Sequence, residues 1–132
     1  MQARGHKHLV LILARQFASN LATPTLVVDA AGTLVFFNEA AERFFDKAFA
    51  EVGEMPLEEW TSRFEPRTFA GKPLRLEDRP AGVALYQRRP AHERFLITSV
   101  DGRERSVSST AIPLFAHADE FVGVIALYWR DE

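Results

Sequence analysis

Leu9, Ile12, Leu13, Gln16, Phe17 and Leu21 recur at helical spacing over residues 8–21, with Val10 and Ala14 widening the apolar stripe and Pro24 cutting it off. The spacing predicts an amphipathic N-terminal helix. Residues 25–29 form a short β-branched run, Ala30-Ala31-Gly32 a turn and residues 33–37 a second run, together a hairpin. Asn38 follows at once as N-cap of a helix over 39–45, with Glu39 and Glu42 near the positive end of its dipole. Between Asp46 and Gly71 the pattern is broken by Gly53, Pro56 and Pro66, which leaves short helical turns around 57–63 and 64–69. Asp78 is placed to cap a last helix with Pro80 in its first turn, ending near residue 88 before Pro90. The rest predicts strands over 93–100, 103–115 and 120–130, the first two joined by Asp101-Gly102, a strong hairpin signal.

The run from Phe121 to Trp129 shows no polar alternation, so both of its faces need cover and it belongs in the middle of a sheet. Helices between the first hairpin and the last three strands can cover one face; the N-terminal helix, or a partner chain, can cover the other. The expected fold is α+β, five antiparallel strands, with residues 1–22 as N-terminal helix and 23–132 as the sheet domain. At 132 residues, 47% hydrophobic with 11 Phe, one self-sufficient core is expected. Balanced charge, 16 Lys+Arg against 18 Asp+Glu for a net −2, provides no field for polyanions, so nucleic acid is not the expected partner. The absence of Cys excludes disulfides, thiolate chemistry and Cys-ligated metals. The apolar run over 9–14 is too short to span a membrane, and although Arg4 and Lys7 precede it, no small-residue cleavage site follows closely; a cytoplasmic protein without membrane association is expected.

The strand-strand-helices-strand-strand-strand order joins a series of local phrases: Leu21-Ala22-Thr23-Pro24; Val27-Val28-Asp29-Ala30-Ala31-Gly32-Thr33-Leu34-Val35-Phe36-Phe37-Asn38-Glu39-Ala40-Ala41 with Phe44-Phe45; Pro73-Leu74 ahead of Glu77-Asp78-Arg79-Pro80; Asp101-Gly102-Arg103; Ile112-Pro113-Leu114; and Phe121-Val122-Gly123-Val124. Taken in order over 21–131, they resemble a PAS domain, the sensor module of bacterial signalling proteins. The resemblance implies strand order 2-1-5-4-3, a pocket between helices and inner sheet face, and use of the outer face for dimerisation or output. It also places Gly123, Ile125 and Leu127 inward. Alternation then puts Leu26, Val28, Leu34, Phe36, Phe95, Ile97, Val107, Ser109 and Ala111 on the same face, with Phe44, Phe45, Trp60, Val83 and Ala84 from helices. Val27, Val35, Phe37, Leu96, Ile112, Val122, Val124, Ala126 and Tyr128 fall outward, too apolar to stay in water.

Little in the chain points to chemistry. The glycines of the hairpins open no helix as phosphate binding requires. His6, His8, His92 and His117 show no ligand spacing, so no metal is expected. Haem sensors of the PAS type usually hold iron through a His on the last helix, which has none here, and only His92 lies nearby; haem is disfavoured. Flavin photosensors of this fold carry a reactive Cys and read the ring with amides where Ile97, Val107 and Ile125 stand, so flavin is disfavoured too. The acidic residues between Glu39 and Glu59 suit solvated faces, and Ser109 faces inward with no His in view, so no enzyme is expected.

What remains is a small apolar pocket bounded by Val28, Phe36, Phe44, Trp60, Val83, Tyr86, Phe95, Ile97, Val107, Ser109, Ala111, Ile125 and Leu127, with Thr98 or Ser99 at its rim and Gln87 and Arg63 as further polar groups. It suits a small apolar or fatty ligand, the alternative being that the Phe side chains fill the space as solid core and the domain serves as a ligand-free interaction module. A homodimer is expected, mediated by Leu9, Ile12, Leu13 and Phe17 with Val122, Val124 and Tyr128. The downstream partner is unspecified, and the effector acts in trans or in a larger protein.

Overall fold

The computed structural model describes residues 2–131, with side chains from Leu9 onward. Expectations for Arg4, His6, Lys7 and His8 concern side chains outside the described residues. The elements run α1 (Gln2–Ser19), β1 (Thr25–Asp29), β2 (Leu34–Phe37), α2 (Glu39–Phe45), α3 (Phe49–Val52), α4 (Leu57–Thr61), a 3₁₀ turn (Leu76–Asp78), α5 (Pro80–Gln87), β3 (Ala91–Thr98), β4 (Glu104–Phe115) and β5 (Phe121–Arg130). All strand pairs are antiparallel and the order is β2-β1-β5-β4-β3, as expected, with β5 central. Gly123 lets β5 lie against β1: a Cβ there would collide with the Val28 carbonyl.

Two apolar layers flank the sheet. On the inner face Leu26, Val28, Leu34, Phe37, Ala111, Val124 and Ala126 meet Phe45, Trp60, Ala81 and Leu85 from the helices. On the outer face Ala14 and Ala18 of α1 pack with Val27 and Ile125, flanked by Leu11, Val35, Phe36, Leu114 and Leu127. Small side chains on this side of α1 let the helix approach the sheet closely, which leaves its bulky stripe turned away.

The β5 faces are therefore the reverse of those expected. Ladder register pairs Ser109 with Tyr128 and Ala111 with Ala126, and residues directly opposite in an antiparallel pair share a face. Ile125 and Leu127 accordingly lie under α1, while Val124, Ala126 and Tyr128 face the helices. A bulge causes the second reversal. Val27 pairs with Phe36 but Val28 with Leu34, so Val35 is an extra residue that resets the alternation. Leu34 and Phe37 both point inward, and Phe36 joins the α1 side. Val122 is likewise skipped, between the Leu114–Gly123 and Phe115–Phe121 pairs, and is buried.

Three local expectations also change. Residues 64–69 form no helix: Phe64 and Glu65 adopt φ of 67° and 45°, and Arg67 exchanges two 2.8 Å backbone hydrogen bonds with Leu96, extending the β3 edge. Pro66 cannot donate a backbone hydrogen bond, which favours this extended course over a helical one. Residues 49–52 form the short helix α3 instead, closed by Gly53. Asp78 ends the 3₁₀ turn rather than capping α5; Arg79 is the N-cap residue, without a side-chain cap, and Pro80 occupies the first turn.

Candidate functional site

Asn38 joins the parts that surround the inner cavity. Its buried side chain accepts from the backbone N–H of Ala41 at 2.9 Å, capping α2, and from Thr25 N–H at 3.1 Å. Its Nδ2 donates to the carbonyls of Ala18 and Thr23, both at 2.9 Å, and Leu21 at 3.2 Å. One amide thus fixes the end of α1, the start of β1 and the start of α2, and every donor and acceptor on it is used.

Between α2, α4, α5 and the sheet lies a small cavity of about 50 Å³. Phe44, Phe45 and Ala41 of α2, Trp60 of α4, Ala81 of α5 and Leu26, Phe95, Ile97 and Tyr128 of the sheet supply its apolar wall, joined by Phe64 and Pro66. Trp60 is oriented by a 2.8 Å hydrogen bond from Nε1 to the Gly32 carbonyl. The Phe44 and Phe64 rings meet edge to face at 5.3 Å. Beyond that pair a groove of about 610 Å³ opens to solvent and shares Pro24, Phe44, Phe64 and Ile97 with the cavity. Arg43, Arg105 and Arg130 line the groove against one acid, Asp101.

Two cations reach the inner cavity, Arg63 and Arg79. Arg79 is half-buried and donates to the carbonyls of Leu74 at 3.0 Å and Thr61 at 2.8 Å, pinning the α4 end and the segment before the 3₁₀ turn. Burial pulls its pKa below the usual arginine value, and neighbouring Tyr128 opposes that fall. Burial in turn pushes the Tyr128 phenol up, offset in part by the Ser109 hydroxyl and by Arg79. Ser109 lies across the ladder from Tyr128, close enough for this electrostatic pull, yet its fully buried Oγ completes no well-aligned hydrogen bond. Arg63 has a buried Nε without a partner and a loose 3.8 Å contact from Nη2 to Glu59.

At the sheet's other end, Asp131 accepts from Ser108 Oγ at 2.6 Å, Ser106 Oγ at 2.8 Å and Arg94 Nε at 2.8 Å. The Ser108 hydroxyl first, then Arg94 and Ser106, hold its carboxyl down to about 2. This ties the exit of β5 to β3 and β4.

Of the expected pocket residues, Phe44, Trp60, Phe95 and Ile97 line the cavity, and Val107 lines the groove. Val28, Val83, Ser109 and Ala111 are buried but do not border the cavity. Phe36, Ile125 and Leu127 belong to the α1 side for the bulge and register reasons given, and Tyr86 is 55% exposed because the α5 face that carries it points to solvent. Of the expected dimer residues, Leu9, Ile12, Leu13 and Phe17 are exposed, whereas Tyr128 lines the cavity, Val124 sits in the inner core and Val122, at the β5 irregularity, is buried. Ser99 borders the groove, Thr98 accepts from Arg67 Nη1, and Gln87 is exposed. Arg79 and the reach of Asn38 were not foreseen; the only signal for Arg79 was its place before Pro80, where the chain must enter a helix. His92 stacks on Trp129 at 5.7 Å and contacts Thr110 Oγ1, and no cluster of His, Cys, Asp and Glu able to hold a metal occurs among the described residues.

A family model described as the PAS fold matches residues 18–130. The chain belongs to the PAS family. PAS domains are in general sensory, non-catalytic regulatory modules. Among solved structures, this PAS domain is similar to the PAS domain of Bordetella pertussis BvgS, with a TM-score of 0.64, 21% identity, and coverage of 92% of this chain and 84% of that one. It is similar to the PAS domain of nitrogen regulation protein NR(II) from Vibrio parahaemolyticus, with a TM-score of 0.62, 17% identity and coverage of 90% and 98%. The Rhodobacter sphaeroides LOV protein matches at a TM-score of 0.68 and 10% identity, over 100% of this chain and 69% of that one. These likenesses show the fold. No protein of curated function matches the sequence. No helix among the described residues is long and apolar enough to cross a membrane.

Proposed function

We propose that this PAS domain is a cytoplasmic sensor of a small, largely apolar ligand held between its helices and inner sheet face. The supporting observation is that the small aromatic cavity and the large outer groove share four wall residues, among them the edge-to-face pair Phe44 and Phe64. A 50 Å³ space holds little more than a water molecule or two, so occupancy requires that pair to part. Residues present do not fit flavin or haem: Ile97 offers no amide in the cavity wall, Ile125 faces α1, the chain lacks Cys, and α5 carries no His. Native mass spectrometry of gently purified protein is expected to show a retained apolar molecule, lost in Ala81→Leu, which fills the cavity from α5. An empty wild-type protein that also takes up no added apolar compound refutes the reading.

Output is assigned to α1. Leu9, Ile12, Leu13 and Phe17 are between 51% and 58% exposed, a helical stripe facing away from the sheet while Ala14 and Ala18 hold the other side. Monomeric domains rarely leave such a contiguous apolar stripe in water. A second copy of this chain, presenting the same stripe across a twofold axis, covers it. The small size of the cavity favours a second reading, a ligand-free dimerisation module, which the same mass measurement separates from the first.

A further inference from the structure

We infer that the ligand of this domain is a carboxylic acid: an apolar body against the aromatic wall and a carboxylate between Arg63 and Arg79. This rests on the reading of the cavity as a ligand site and names the ligand's chemical class. A cavity meant only for hydrocarbon needs no cation, since a desolvated guanidinium without a counter-charge is costly. This one has two at its wall, from different elements, one after α4 and one before α5. Neither is neutralised at close range. Arg79 donates to two carbonyl oxygens and has Tyr128 as a neighbour, with no carboxylate in ion-pair contact among the described residues, and Arg63 keeps a buried Nε unpaired, with the Glu59 carboxylate 3.8 Å from its Nη2.

The missing element is thus an anion with two acceptor oxygens, which arginine donors match in geometry as well as charge. Tyr128 adds a hydroxyl on the same wall. The remaining wall is aromatic and aliphatic, which excludes a strongly hydrated multivalent ion such as free phosphate. Access comes from the groove, whose three arginines against one aspartate attract an acid towards Phe44 and Phe64. Phe64 and the next residue, Glu65, hold positive φ, a strained arrangement for side chains with a Cβ. Relaxing that pair moves the Phe64 ring and enlarges the cavity where the ligand enters.

Sodium hexanoate and its neutral counterpart 1-hexanol are the probes, titrated into the full chain carrying Trp129→Phe so that Trp60, in the cavity wall, is the sole indole. Hexanoate is expected to shift Trp60 emission and bind at least about tenfold more tightly than hexanol, with the advantage lost as pH falls below the pKa of the acid itself. Arg63→Gln is expected to remove about tenfold of hexanoate affinity while hexanol binding stays within about twofold. Arg75→Gln, at an exposed pair with Glu77, is the charge control and leaves both unchanged. Arg63 is used because Arg79 also braces the backbone, and an unchanged circular dichroism spectrum and melting profile confirm the variant's fold. Equal affinity for acid and alcohol, or an unaffected Arg63→Gln, overturns the acid assignment and leaves the apolar-ligand reading standing. Failure of both probes to bind overturns both.

Discussion

Replacing Asn38 with Ala tests whether one side chain holds three elements together. The substitution orphans two backbone donors, Ala41 N–H at the start of α2 and Thr25 N–H at the start of β1. Loss of a helix cap costs about 1 kcal/mol, and a buried unsatisfied donor about 1–3 kcal/mol. The carbonyls on the Nδ2 side lose less, because Ala18 also accepts from Leu21 N–H at 3.1 Å and Thr23 from Thr25 Oγ1 at 2.7 Å. The sum is about 2–4 kcal/mol, near 10 °C in Tm for a domain of this size. Urea unfolding followed by tryptophan emission measures it. Asn38→Ser separates the parts: its hydroxyl keeps the α2 cap but does not reach β1 and α1 together, so an intermediate loss is expected. Native-state hydrogen exchange should show faster exchange at Thr25 in both variants, and at Ala41 only in the alanine one. A loss below about 1 kcal/mol for Asn38→Ala, or equal losses in both variants, refutes the accounting.

Leu13→Glu should weaken self-association at least about tenfold by light scattering without lowering Tm appreciably, since Leu13 is already exposed; a dimer of unchanged strength removes α1 from the interface. Asp131 has a carboxyl pKa of about 2 against about 3.9 unfolded, so it stabilises the fold above about pH 4 and that contribution fades as pH falls towards 2. Asp131→Asn should flatten this part of the acid unfolding curve, and an identical acid limb contradicts the depressed pKa. Trp60→Phe should cost about 2 kcal/mol in urea unfolding, from the unpaired Gly32 carbonyl and the lost ring volume; a loss under about 0.5 kcal/mol shows that the Nε1 bond contributes nothing.

The β3–β4 hairpin, the α2 cap and the central place of β5 were legible because local signals carried them, Asp101-Gly102, Asn38 and the unbroken apolar run in turn, whereas the full strand order came with the resemblance to PAS domains. Face assignment was not, and the reason is specific. Alternation extends a single reference along a strand, but a bulge at Val35 shifts its parity midway, and the β5 reference itself came from a resemblance rather than from its pairing with β4. Pairing Ser109 with Tyr128 depends on loop geometry over 116–120, which hydrophobic pattern does not encode. The cavity's aromatics were found because large apolar side chains announce burial. Of its two cations Arg63 was expected, from its place near Trp60, and Arg79 was not, since an arginine that lines a cavity reads in sequence like one in water.

In mechanical terms, α1 is a lever with a firm fulcrum and a soft bearing. Its last turn is clamped by the amide of Asn38, whereas along its length Ala14 and Ala18, with Leu11 beside them, make the contact with the sheet. Each buried methyl or methylene contributes about 0.8 kcal/mol, so two alanine methyls resist lifting far less than two leucines in their place. A displacement of α2, which the same amide caps, bears on the short arm beside the clamp. The long arm carries the exposed stripe, where a small rotation becomes a larger travel of Leu9 and Ile12 relative to the sheet.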